Sequence, residues 1–200
     1  MKREISDAAV QMFDKLLARN LLAVNCIKNQ QSRQLLVEAA KACVGIHEVG
    51  DNLGYQVELF QHTVGLPPGD PWCMAFVQTC IAYVERKIPA TISPLVASGS
   101  VMTVWNDTDK AQRVQQIPLA GAIAIWQHTK NPGHGHTGIV LDCDGVTFHA
   151  IEGNTSDGWD DLNAPVPNKP GDGVEFTHRW LDLFNPQQGD MQLRGFLRPF

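Results

Sequence analysis

The sequence predicts an α+β domain in which N-terminal helices pack on a mainly antiparallel sheet of about five or six strands. Apolar residues recur at helical spacing through the first half of the chain, whereas short β-type runs separated by Gly-, Asn-, Asp- and Pro-rich turns follow from Gly121. The 200 residues are also enough for one domain with a sizeable core.

The predicted helices cover residues 5–22, 31–46, 55–64, 71–87 and 98–106. The fourth is apolar on nearly every side, which is typical of a helix buried in a protein interior. Asp70 is a favourable N-cap and Pro71 suits a first helical position, so we expect the buried helix to begin there. Cys73 would then lie in its first turn.

The predicted strands cover residues 122–126, 137–141, 146–151, 174–180 and 195–200. Asp144-Gly145 separates two apolar runs and predicts a hairpin turn. Residues 107–117 are expected to be a polar connection, and 154–173 a long loop of the kind that is often functional.

Composition excludes several functional classes. The net charge of −5 and the lack of a basic run argue against nucleic acid as a partner. Five scattered cysteines without a C-x-x-C pair disfavour a disulfide framework or a zinc ribbon, and favour reduced thiols in a chain made in the cytoplasm. No apolar stretch fits a signal peptide or a membrane span, so any action outside the cytoplasm would need another export route.

Cys73 is the candidate nucleophile, because free N–H groups and the positive dipole end of a helix favour a thiolate there. The alternative is a small core residue. A cysteine nucleophile needs a base, and His136 opens an apolar strand in which Gly138 leaves room for a close approach. His134, in the same glycine-rich turn, is its rival.

Glu152 and Asn154 stand two apart at the end of the next strand, so both could point towards the histidine strand. Either could accept a hydrogen bond from the imidazole ring. A zinc site of His128, His134 and His136 is disfavoured, since the three lack helical spacing and a nearby acidic partner. We therefore expect no metal there. Glu48 is interpreted as a solvated polar position.

Four segments in order, residues 71–77, 121–126, 135–140 and 151–156, together with the ending 193–199, resemble the CHAP family, the cysteine, histidine-dependent amidohydrolases/peptidases. The resemblance covers roughly residues 32–200 and implies a papain-like core. We accordingly expect a catalytic domain over residues 31–200, preceded by a helical extension over 1–30 that packs on it.

The resemblance implies hydrolysis of an amide or peptide bond in peptidoglycan through a cysteine thioester. Cys73 resembles the nucleophile, His136 the base and later acid, Glu152 the residue that orients the imidazole, and Asn154 a nearby polar partner. No cofactor is required.

Three residues are candidates for substrate contact. Trp72 is either a core anchor or a wall of the cleft, Trp159 lies in the long polar loop, and His134 lies beside the candidate base.

Two other functions stay open. One is a catalytically silent wall-binding module, and the other is a papain-like amidase or acyltransferase with a non-wall amide as substrate. The expected partners are peptidoglycan, an immunity protein, and secretion or phage machinery. We expect action at the cell wall or in the periplasm after phage-type lysis or injection.

Overall fold

The computed structural model describes residues 3–156, 171–181 and 187–200, and this part of the chain has the expected α+β architecture. Its helices are α1 (Asp7–Leu16), α2 (Leu21–Lys28), α3 (Ser32–Ala42), α4 (Tyr55–Thr63), α5 (Cys73–Lys87) and α6 (Val101–Asp107). Its strands are β1 (Arg113–Val114), β2 (Ile123–His128), β3 (Gly135–Cys143), β4 (Thr147–Thr155), β5 (Gly173–Trp180), β6 (Gln187–Gln188) and β7 (Met191–Leu197). A 3₁₀ turn, Lys110–Gln112, precedes β1.

The strands form one antiparallel sheet in the order β1-β7-β2-β3-β4-β5, with β6 paired to β7. The five predicted strands correspond to β2, β3, β4, β5 and β7. The short strands β1 and β6 were not predicted, because two residues carry no periodic pattern. Asp144 accepts the N–H groups of Val146 and Thr147 at 2.8 and 2.7 Å, which confirms the predicted hairpin turn between β3 and β4.

The N-terminal residues form two helices where the periodicity predicts one over residues 5–22. Asn20 begins α2, since its side chain accepts the N–H of Ala23 at 3.0 Å. Helix α1 packs on the rest of the protein through Phe13, whose ring stacks on Tyr83 of α5 at 4.6 Å. The division of the chain at residue 30 stays a prediction.

Both faces of the sheet carry buried side chains. Ile139 and Ile151 lie on the face that packs against α5, while Val140 and Ala150 lie on the opposite face in a second cluster with Trp126. Helix α5 is buried on every side along its first twelve residues, as its sequence predicts. No helix in the described part of the chain has both the length and the apolar character needed to cross a bilayer.

The start of α5 was predicted two residues too early. Trp72, not Asp70, is the N-cap residue, and its side chain makes no capping hydrogen bond. The Trp72 N–H instead donates to Asn154 Oδ1 at 3.3 Å, and the Asp70 carbonyl accepts from Gln61 at 2.7 Å. These tertiary contacts hold the preceding segment outside the helix, so Cys73 is its first residue.

Candidate active site

Cys73 opens α5 and keeps a small exposed surface, 7% of the residue. The first backbone N–H groups of a helix have no intrahelical acceptor, and the first one here that bonds back is that of Phe76, to the Trp72 carbonyl at 2.9 Å. The sulfur therefore lies beside a helix N-terminus whose N–H groups are available to a developing negative charge. The Cys73 side chain lies close enough to the ring of His136 to raise the pKa of that histidine.

His136 lies near the start of β3, paired with Trp126 of β2, and is buried. Its Nε2 atom is 2.9 Å from Glu152 Oε2, so Nδ1 is the ring nitrogen left for the thiol. Burial by itself lowers the pKa of His136, but the hydrogen bonds to Cys73 and Glu152 and the charges of both groups outweigh it and raise the pKa to about 9. His136 is consequently a stronger base than an ordinary imidazole.

Glu152 reaches His136 because Gly138, its pairing partner on β3, has no side chain. A Cβ atom at position 138 would come within 2.6 Å of Glu152 Cγ. The room that the sequence predicts at Gly138 is thus filled by the Glu152 side chain.

The Glu152 carboxylate is fully buried and ionised. Arg179 donates to it twice, through Nε at 2.9 Å and Nη2 at 2.7 Å, and Thr177 donates its hydroxyl at 2.6 Å. Burial by itself raises the pKa of Glu152, but the charge and hydrogen bonds of Arg179, followed by those of His136, hold the pKa well below its usual range. We call His136, Glu152, Thr177 and Arg179 the His136 network.

Asn154 does not contact the imidazole ring. It adopts a φ of 58° and lies where the β4–β5 register shifts, so the alternation expected from its two-residue spacing to Glu152 is broken. Its amide nitrogen donates to Glu48, to Asn52 and to the Gly171 carbonyl at 2.9 to 3.0 Å. Of the two candidates, Glu152 is the one that contacts His136.

Glu48 joins Asn154 to the segment before α5. Its carboxylate accepts from Trp72 Nε1 at 2.7 Å, from Asn154 at 2.9 Å and from the Asn52 N–H at 2.8 Å. The interpretation of Glu48 as a solvated position is therefore wrong. We call Glu48, Asn52, Trp72 and Asn154 the Glu48 network.

Trp72 has no exposed surface, and its ring stacks on Phe60 at 5.7 Å. This geometry favours the core anchor over the cleft wall. His134 is exposed in the turn before β3, where its N–H donates to the Asn131 carbonyl at 2.9 Å. Trp159 lies outside the described residues.

The three histidines weighed as zinc ligands have other partners or positions. His128 Nδ1 accepts two backbone N–H groups of its own turn at 3.1 Å, while His136 faces Glu152. Within residues 3–156, 171–181 and 187–200, no three His, Cys, Asp or Glu side chains are grouped as a metal ion would need.

Sequence reasoning missed Thr177 and Arg179 as well as Glu48. Thr177 and Arg179 stand two apart on β5 and are both buried, and an arginine on the buried face of a strand is a signal for a carboxylate partner. The identity of that partner depends on strand register, which the sequence does not display.

A family model described as CHAP domain matches residues 65–154. The matched stretch contains Cys73, His136, Glu152 and Asn154, whereas Glu48 and the two β5 residues lie outside it. No curated protein matches the chain significantly.

Proposed function

We propose that the protein cleaves an amide or peptide bond of the bacterial cell wall, because residues 65–154 match the CHAP domain, whose family consists of peptidoglycan-hydrolase-type amidases and peptidases. The observation that carries the proposal is the buried line of contacts from Cys73 through His136 to Glu152. A nucleophile, a base and a group that orients the base are the parts that covalent amide hydrolysis needs.

Acylation begins with transfer of the Cys73 proton to His136 Nδ1. The sulfur then attacks the substrate carbonyl carbon, and the carbonyl π electrons move onto oxygen to give a tetrahedral oxyanion. The Cys73 N–H, at the start of α5, is a candidate donor to that oxygen, and one such donor is typically worth about 10²–10³ in rate. Collapse of the oxyanion breaks the C–N bond, His136 returns the proton to the leaving amine, and a thioester remains on Cys73.

Deacylation repeats these steps with water. His136 takes a proton from the water molecule, the resulting hydroxide attacks the thioester carbonyl, and the C–S bond breaks. The acid product leaves, and the proton on His136 returns to the Cys73 sulfur. The raised pKa of His136, about 9, supports this scheme, because a ring of that basicity readily takes up the thiol proton.

We further propose that the protein works at the cell wall, which it reaches by phage-type lysis or by injection into a competing cell. Its other partners would then be the machinery that delivers it and an immunity protein that protects the producing cell. The place of action, the delivery route and the immunity protein are proposed only on the premise that the substrate is the cell wall.

The test is incubation of the protein with isolated sacculi, followed by mass spectrometry of the released fragments. The matched control is Cys143→Ala, which removes a partly exposed thiol at the far end of β3 from His136. We expect fragments from the wild type and from Cys143→Ala but none from Cys73→Ala, and the fragment masses would identify the bond.

Two results would overturn the proposal. If sacculi of several peptide chemistries stay intact although Cys73 is alkylated readily, the substrate is a non-wall amide. If Cys73 is also unreactive towards alkylating agents, the protein is a silent wall-binding module.

A further inference from the structure

We propose that Arg179 is a positioning residue that keeps Glu152 ionised and correctly oriented, so that His136 presents its free nitrogen to Cys73. The inference deepens the proposed function and rests on it, because it assigns the group that controls the base. Arg179 lies outside the residues that the family model matches.

The contacts of Arg179 fix both the position and the plane of the carboxylate. Its side chain is buried, and Nε and Nη2 bind one carboxylate oxygen each, at 2.9 and 2.7 Å. Two parallel hydrogen bonds from a planar guanidinium define the orientation of a carboxylate in a way that a single donor does not. With Thr177 on one oxygen and His136 on the other, Glu152 accepts four hydrogen bonds.

The charge of Arg179 also decides which ring nitrogen of His136 is free. A fully buried carboxylate without a cationic partner takes up a proton, since burial penalises the ionised form. A protonated Glu152 would donate its hydrogen to His136 Nε2, and in the neutral ring the remaining hydrogen would move to Nδ1, towards Cys73. Nδ1 could then no longer accept the thiol proton.

The charges along the line alternate from Arg179 through Glu152 and His136 to Cys73. Among the described residues of β5, Glu175 lies opposite Glu152 in the strand register, and its oxygen is 3.4 Å from His47 Nε2. Loss of Arg179 would therefore remove the charge that keeps Glu152 ionised, and with it the acceptor that holds the His136 proton on Nε2. The ring would then no longer offer Nδ1 as an acceptor to the Cys73 thiol.

The primary measurement is the alkylation rate of Cys73 by iodoacetamide against pH, with each cysteine followed by peptide mass spectrometry. The variants are Arg179→Met, Arg179→Lys and Thr177→Val. Cys143, partly exposed in the same chain, is the internal reference, and Arg198→Met, at an exposed position just after β7, is the matched control. The readout needs no wall substrate, so a failure of sacculus cleavage does not affect it.

We expect Arg179→Met to slow alkylation of Cys73 by about 10–100-fold near neutral pH, the scale on which misplacement of reacting groups acts. The rise of the rate with pH should move to higher pH. Arg179→Lys should lie between this variant and the wild type, Thr177→Val should show a smaller change, and Cys143 and Arg198→Met should be unchanged. The ¹⁵N shifts of His136 should place its proton on Nε2 in the neutral ring of the wild type and on Nδ1 in Arg179→Met.

A double variant separates a positioning role from a purely structural one. If Arg179 acts through Glu152, then Glu152→Gln/Arg179→Met reacts about as slowly as Glu152→Gln alone, whereas independent losses would multiply. The inference is overturned if the losses multiply, or if Arg179→Met lowers the rate equally at every pH. Should Arg179→Met not fold, the lysine and Thr177 variants and the double variant, which lacks both buried charges, still decide the matter.

Discussion

The two polar networks beside Cys73 differ in what they hold in place. The His136 network joins three adjacent strands and contains a fully buried ion pair, with the Glu152 carboxylate between an arginine and an imidazole. The Glu48 network joins the loop around Asn52, the N-cap of α5 and the end of β4 through a partly exposed carboxylate. The first network controls where protons reside, whereas the second fixes where the nucleophile helix begins.

The same substitution in each network gives the sharpest comparison, and the larger effect is expected at Glu152. Glu152→Gln keeps the shape but removes the charge that faces His136 Nε2. We expect kcat/KM on sacculi to fall by about 10²–10⁴, the range that a positioned acid–base group contributes. The rate of fragment release by purified variants, compared at a temperature where both are folded, measures this effect.

The second effect is a pH dependence of stability that belongs to the His136 network. His136 has a pKa of about 9 in the folded protein and near 6.5 in the unfolded chain. As the pH rises, the unfolded chain therefore loses this proton at a lower pH than the folded protein does. The stabilisation is fully present below pH 6.5 and is lost as the pH rises through about 9. Its size is on the order of 3 kcal/mol.

Urea unfolding midpoints between pH 6 and 10 measure this loss. The decline should be shallower in His136→Gln, and also in Cys73→Ala because Cys73 is one of the groups that raise the pKa of His136. A variant slope equal to that of the wild type would show that other groups cause the pH dependence.

The smallest effect is expected from Glu48→Gln. An NH2 group, which cannot accept a hydrogen bond, would replace the carboxylate oxygen that accepts the Asn52 N–H. The hydrogen bonds from Trp72 and Asn154 would then be made to a neutral oxygen instead of a charged one. We expect a loss of about 1.5–3 kcal/mol in the free energy of unfolding, the range for hydrogen bonds to charged groups. Thermal or urea unfolding measures it, and kcat/KM should stay within about 10-fold of the wild type. A rate loss equal to that of Glu152→Gln would remove the distinction between the two networks.

Local patterns were sufficient for much of the fold. A continuous apolar run located the buried helix that carries Cys73. Short apolar runs between turn residues located the two strands that carry His136 and Glu152. The same patterns missed the break before α2, whose cap is a single asparagine, Asn20, and the two-residue strands, which are too short to show a repeat.

By itself, the sequence determined the order of elements, the buried character of α5 and the small set of polar residues at its start and at the strand ends. Only the tertiary structure decided that Glu152 and not Asn154 faces His136, that Trp72 is buried, and that Arg179 completes the site. These choices depend on a register shift in β4 and on contacts between residues far apart in the chain. Such contacts produce no periodic pattern in the sequence, since each depends on which strands become neighbours when the sheet forms.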